Sequence, residues 1–125
     1  MAEPARILVV DDELSIVASL REILEWEGFA VATAPNGRVG LEAIAAVNPD
    51  VILLDVMMPV MDGLAMLRAL RQRAETRALP VILMSAAPIR VSPARAGYQA
   101  ALAKPFDVPA LLGRLREVLA PGSRP

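Results

Sequence analysis

Asp55 closes the apolar run Val51-Ile52-Leu53-Leu54 and opens onto Val56-Met57-Met58-Pro59, where a buried strand would end. A carboxylate there sits at the mouth of a sheet. Asp11 and Asp12 end a second run, Ile7 to Val10; Ser85 ends a third, Val81 to Met84; and Lys104, the only lysine in the chain, follows Ala101-Leu102-Ala103. Four strand ends therefore deliver three carboxylates, one hydroxyl and one amine. The chain has no histidine and no cysteine, so converging carboxylates point to a hard divalent cation held through oxygen. Mg²⁺ (or Mn²⁺) keeps several waters and needs only two carboxylates and a backbone carbonyl from the protein. Asp12 and Asp55 are expected as direct ligands, Asp11 through a bound water, and the Met57 carbonyl as the last protein oxygen.

An aspartate beside such a cation can attack phosphorus to give an acyl phosphate. The metal and the Lys104 amine would neutralise the transferring oxygens, and positioning would supply most of the rest. Ser85 could then donate to a phosphate oxygen and draw its loop inward, which is a route to a switch. Each residue alone has a plainer reading. Asp11-Asp12 suits a strand end and helix cap, Ser85 a turn, Lys104 a solvated surface amine, and Asp62-Gly63 a cap and turn. Met57, Met58 and Met61 read as loop and core packing. Placement together at four strand ends is what favours a site.

The elements that must position these groups follow from periodicity. Residues 6–10, 30–34, 51–55 and 81–85 read as strands, with a fifth before Lys104. Residues 14–27 place Ile16, Leu20, Ile23 and Leu24 on one helical face, with Gly28 to end it. After Pro35-Asn36-Gly37 a second helix turns Val39, Ala43, Ile44 and Val47 inward. Leu64, Leu67 and Leu70 share a face after Asp62-Gly63. Asp107 is placed to cap a last helix with Leu111, Leu112, Leu115, Val118 and Leu119 inward. Pro88 and Pro93 interrupt residues 86–100, so that connection is expected to be irregular and mobile, with at most a short helix after Pro93. Continuous apolar strands joined by helices predict a parallel sheet covered on both faces: a flavodoxin-like, doubly wound α/β fold, in which ligands bind beyond the carboxyl ends of the strands.

At 125 residues, 55% hydrophobic and 3% aromatic, the chain suits one domain over 1–120. Residues 121–125 read as a tail or the start of a linker. A net charge of −1 gives no support to direct nucleic-acid binding. Disulfides and thiolate zinc sites are excluded. With no apolar stretch of transmembrane length or signal-peptide type, a cytoplasmic protein without membrane association is expected.

Val10-Asp11-Asp12-Glu13, the segment Leu54-Asp55-Val56-Met57-Met58-Pro59-Val60-Met61-Asp62-Gly63, Ser85-Ala86 and Lys104-Pro105-Phe106 together resemble the response-regulator receiver domain, the phosphoacceptor module of two-component signalling. The resemblance covers residues 5–120. It implies a five-stranded sheet of order 2-1-3-4-5, Asp55 as phosphoacceptor, and Asp11, Asp12, Asp55 and the Met57 carbonyl around Mg²⁺. It also implies Ser85, Lys104 and the Ala86 backbone on the phosphoryl group, with Pro59, Gly63 and Pro105 structural and a cis bond before Pro105. The implied donor is a histidine kinase phosphohistidine, a phosphotransfer protein or a small phosphodonor. The implied chemistry is self-phosphorylation and self-dephosphorylation, not turnover of a substrate, and an output domain beyond residue 125 is compatible with it. Two departures lie on the output side: Ala101 stands where the family often has an aromatic, and residues 86–103 form a shorter, proline-broken connection.

A second reading is a receiver-fold interaction module without phosphorylation-dependent switching, motivated by those departures. A third, a haloacid-dehalogenase-like phosphohydrolase, expects a carboxylate two residues after the nucleophile, where this chain has Met57. A P-loop nucleotide site fails for want of a glycine-rich GK[ST] segment.

Overall fold

The computed structural model describes residues 3–120; the expected tail at 121–125 lies outside them. Five strands, β1 (Arg6–Val10), β2 (Ala30–Ala34), β3 (Val51–Asp55), β4 (Val81–Ser85) and β5 (Ala100–Ala103), form one parallel sheet of order β2-β1-β3-β4-β5. The helices between and after them are α1 (Leu14–Trp26), α2 (Gly37–Val47), α3 (Gly63–Gln72), α4 (Pro93–Ala96) and α5 (Val108–Leu119). The doubly wound architecture is the one the apolar pattern predicts, and the strand order is the one the resemblance implies.

Alternation along each strand divides the interior in two. Ile7, Val9, Val51, Leu53, Ile82 and Met84 pack with Leu20 and Leu24 of α1 and Leu111, Leu115 and Val118 of α5. Leu8, Val10, Ile52, Leu54, Val81 and Leu83 face the other way, onto Met66, Leu67 and Leu70 of α3. Strand interiors buried on both faces must be apolar, which is why Ile7–Val10, Val51–Leu54 and Val81–Met84 read as unbroken runs. The α3 face differs from expectation by one residue. Met66 is fully buried and Leu64 only partly, because the stripe through Met66 and Leu70 follows helical i,i+4 spacing.

Caps set the helix starts that border the site. Asn36, Asp62, Ser92 and Asp107 each accept from the backbone N–H three residues on, at 3.0, 2.8, 3.2 and 2.8 Å. α1 is different: its N-cap, Glu13, makes no side-chain cap, and the Glu13 N–H instead donates to the Asp11 carboxylate at 2.9 Å. Gly63 is required by proximity. A Cβ there would fall on the carbonyl oxygen of Asp55, and the Gly63 N–H donates to the Val56 carbonyl at 3.0 Å. The start of α3 is thereby pinned to the end of β3.

Residues 86–100 contain one short helix, α4, as the prolines predict. The segment is tied at several points. Tyr98, itself buried, donates its hydroxyl to the Val91 carbonyl at 2.6 Å. Arg71 of α3 donates to the carbonyls of Gly97, Thr76 and Leu79 at 2.9, 2.9 and 2.8 Å.

Candidate functional site

The parallel register brings the carboxyl ends of β1, β3, β4 and β5 into one line. The ladder runs one step past the strands: Asp11 N–H donates to the Ala34 carbonyl at 3.1 Å, Val56 N–H to Met84 at 3.0 Å and Lys104 N–H to Ser85 at 2.8 Å. These bonds fix the backbone that carries Asp11, Asp55, Ser85 and Lys104, so their side chains leave the sheet at a common edge.

There the Lys104 Nζ donates to Asp11 Oδ2 at 2.9 Å and lies 3.3 Å from Asp55 Oδ1. One amine bridges two strand ends. Asp11, Asp12 and Asp55 each offer a carboxylate oxygen, and these oxygens lie within 4.8 Å of one another. Asp11 and Asp55 are buried, at 1% and 4% exposure, whereas Asp12 is open to solvent. A ring of hard oxygens with one face open suits a small divalent cation that retains waters.

The electrostatics are frustrated without such a cation. Burial pushes the Asp55 carboxyl above its ordinary 3.8, and the neighbouring Asp11 charge pushes the same way; Lys104 and the Met57 N–H offset only part of this. For Lys104, burial opposes the charged form, but Asp11 and Asp55 outweigh it and hold the ammonium above its ordinary 10.5. Two buried carboxylates share one cation, so one negative charge is left over.

Ser85 is buried and adjacent but turned aside. Its Oγ donates to the Ala87 carbonyl at 2.7 Å and accepts from the Ala87 N–H at 3.1 Å. The hydroxyl therefore holds its own loop, and engaging a new oxygen would require it to release Ala87. Ala86, between them, is exposed. The Lys104–Pro105 peptide is cis, as the resemblance implies. Pro59 is exposed in the loop after β3.

Among the methionines expected to pack, Met58 and Met61 join the core on the α3 side, but the Met57 side chain is 70% exposed. Its backbone turns the residue outward while its N–H serves Asp55. Two neighbours escaped sequence reasoning. Glu13 approaches Lys104 Nζ at 3.9 Å; its place directly after the acidic pair was the available signal. Val60 has a φ of 69° and sits inside a tight turn in which the Met61 N–H donates to the Pro59 carbonyl at 2.8 Å. A β-branched residue in the left-handed region is strained, and no sequence pattern announces it.

Ala101 lies on β5, part-buried against the α3-side core. Tyr98 is buried on that same side with its hydroxyl committed to Val91. It therefore does not stand in for an aromatic at position 101. Among the described residues no helix is long and apolar enough to cross a membrane.

Residues 7–116 match the family model described as the response regulator receiver domain. The response regulator MprA of Mycolicibacterium vanbaalenii is 42% identical over 119 residues, covering 93% of this chain and 51% of that protein. The transcriptional regulatory protein CseB of Streptomyces avermitilis is 38% identical over 135 aligned positions, covering 100% and 56%. The chain thus spans about half the length of these curated relatives. Among solved structures, chemotaxis protein CheY4 of Vibrio cholerae superposes with a TM-score of 0.86 at 32% identity, covering 93% of this chain and 99% of that one. A CheY-like receiver domain protein from Methanospirillum hungatei gives 0.85 at 29% identity, covering 93% and 94%. With the sheet order and the carboxylate–amine edge already in place, the match over nearly the whole described chain leaves one assignment: the chain belongs to the response regulator receiver domain family of two-component signalling.

Proposed function

We propose that Asp55 is the phosphoacceptor of an Mg²⁺-dependent transfer from a phosphohistidine on a histidine kinase or phosphotransfer protein. A carboxylate oxygen of Asp55 attacks phosphorus, the P–N bond to the donor imidazole breaks, and the imidazole leaves with the electron pair and takes up a proton. The product is an acyl phosphate on Asp55. The observation that carries this reading is the placement of Lys104 Nζ between Asp11 and Asp55, where an ammonium can also meet the oxygens of an incoming phosphoryl group.

Asp11, Asp12, Asp55 and the Met57 carbonyl would hold Mg²⁺ (or Mn²⁺), which supplies charge neutralisation at the transferring oxygens. Asp55 aligns the nucleophilic oxygen from a backbone locked to β4. Lys104 stays charged throughout. Ser85 is poised to exchange the Ala87 carbonyl for a phosphoryl oxygen, and the Ala86 backbone lies beside that exchange. Residues 86–91 would then move with the hydroxyl, which is how phosphorylation becomes a change of surface. The protein acts on itself and is not an enzyme with a separate substrate. The setting we propose is cytoplasmic, with a sensor kinase as donor. An output domain joined beyond residue 125 is part of the same proposal, supported by the greater length of the relatives.

Intact mass after incubation with Mg²⁺ and acetyl phosphate tests the chemistry. One phosphoryl adduct is expected, lost in Asp55→Asn and without Mg²⁺; no adduct, or one that persists in Asp55→Asn, sinks the assignment. A second reading, an interaction module with no phosphorylation-dependent switch, is favoured specifically by Ala101 and by the committed hydroxyl of Tyr98. It expects identical amide spectra for residues 86–100 with and without beryllofluoride, whereas the switch expects them to shift.

A further inference from the structure

A groove runs between α3 and residues 90–96, and none of the carboxylate-site residues lines it. Arg68 and Arg71 line it from α3, Arg90 and Arg95 from the opposite wall, and Leu64 and Val91 contribute apolar surface. Four of its ten lining residues are arginine and none is acidic. Its volume, about 830 Å³, lies within the range of small-molecule sites.

The charge is not neutralised from within. Elsewhere arginines pair with local glutamates: Arg6 with Glu3, Arg38 with Glu42 and Arg114 with Glu117. Arg68, Arg90 and Arg95 are exposed and form no ion pair among the described residues. Arg71 is held rigid, but by backbone carbonyls, so its charge is positioned without being cancelled. In a chain of net charge −1, four uncompensated guanidinium groups around one concavity are a local concentration of positive potential.

We propose that this groove binds a phosphorylated small molecule of nucleotide type. Guanidinium forks match phosphate oxygens in pairs and also stack on planar rings. A ligand with two or more phosphates and an aromatic base would use both properties, with the base against the side chains of Leu64 and Val91. Arg71, with its donors committed to backbone carbonyls, contributes fixed positive charge to the groove wall, and the exposed Arg68, Arg90 and Arg95 supply the free forks. The site is independent of Asp55, so its occupancy and the phosphoacceptor chemistry stand or fall separately.

The test is an amide-resolved NMR titration of the full chain with GTP and, separately, inorganic pyrophosphate, both without divalent metal. GTP should shift residues 64–72 and 90–96 saturably, pyrophosphate the same residues more weakly. Arg68→Ala/Arg95→Ala should weaken GTP binding by about tenfold or more. Both positions are exposed, so an unchanged melting temperature will show that the fold survives. The proposal is overturned if millimolar GTP leaves the groove unshifted, if shifts are confined to residues 11–13 and 55–57, or if the double variant binds equally well. It is also overturned if pyrophosphate binds as tightly as GTP, or if a polyglutamate peptide binds the groove more tightly than GTP, which would assign the surface to an acidic protein partner.

Discussion

Lys104 Nζ donates to Asp11 Oδ2 at 2.9 Å, closer than its 3.3 Å approach to Asp55 Oδ1. The ammonium is thus anchored on the carboxylate that is not the proposed nucleophile, and it keeps a looser contact with the one that is. Removing it strands two buried carboxylates. Lys104→Met should destabilise the fold at neutral pH by about 3 kcal/mol, read by urea unfolding. The lysine's folded-state pKa is raised above 10.5, so its contribution is fully present below that value and is lost as pH rises through the folded value. Wild type and variant should therefore converge in strong alkali. Equal stability at pH 7 would mean that the bridge contributes nothing.

Asp55→Asn should move stability the other way. The Asp55 carboxyl is raised above 3.8, first by burial and then by Asp11, so the folded state binds the proton more tightly than the unfolded chain. Stability from this group therefore falls as pH rises from 3.8 through the folded value, and the full penalty applies above it. The asparagine removes that penalty while Asp11 retains Lys104. In metal-free buffer Asp55→Asn should be more stable than wild type at pH 7 by roughly 1–2 kcal/mol, with the gap closing below 3.8. Added Mg²⁺ should stabilise wild type more than the variant. A gap independent of pH would point to packing instead of charge.

The Ser85 hydroxyl makes both bonds of a closed local motif with Ala87. Ser85→Ala should cost about 1 kcal/mol in the free protein. A second signature is differential: beryllofluoride with Mg²⁺ should stabilise wild type by about 1 kcal/mol more than Ser85→Ala, because only the wild type can exchange its neutral bond to Ala87 for a stronger one to the charged group. Thermal melts of both proteins with and without the probe give that difference directly.

How far the sequence carried these conclusions depended on the reach of each interaction. Asp55, Asp11 and Ser85 were legible because a polar residue ending a run such as Val51–Leu54 breaks a pattern that burial on both sheet faces demands. Strand order came from the family resemblance; apolar runs alone allow other parallel arrangements. The Ser85–Ala87 closure was hidden, since a strand-end serine looks the same whether it faces the pocket or its own loop. Arg71 was hidden for another reason: an arginine on α3 reads as solvent-facing until the carbonyls of Gly97 and Leu79 arrive from distant turns. Glu13 sat inside a recognised motif, yet only the position of Nζ shows that it borders the site.

Those carbonyl contacts make Arg71 a strut between α3 and the connection after β4. A lysine keeps the charge but cannot reach three oxygens with a planar fork. Arg71→Lys should lose roughly 1–3 kcal/mol through carbonyls left without donors, and amide exchange should accelerate first in residues 97–99. Uniform acceleration across the sheet would instead indicate a global loss of packing.

Val60 offers the opposite expectation, a gain. Its φ of 69° lies where a β-branched side chain crowds its own backbone, and the side chain is 70% exposed, so little packing compensates. Glycine occupies that region freely. Val60→Gly removes strain of about 1–3 kcal/mol and adds unfolded-chain entropy of up to about 1 kcal/mol, leaving a net stabilisation on the order of 1 kcal/mol. The turn also joins Asp55 to the cap at Asp62, so relief of strain should soften it. Phosphorylation by acetyl phosphate should then change in rate while the melting temperature rises. A falling melting temperature would show that the side chain contributes more contact than its conformation costs.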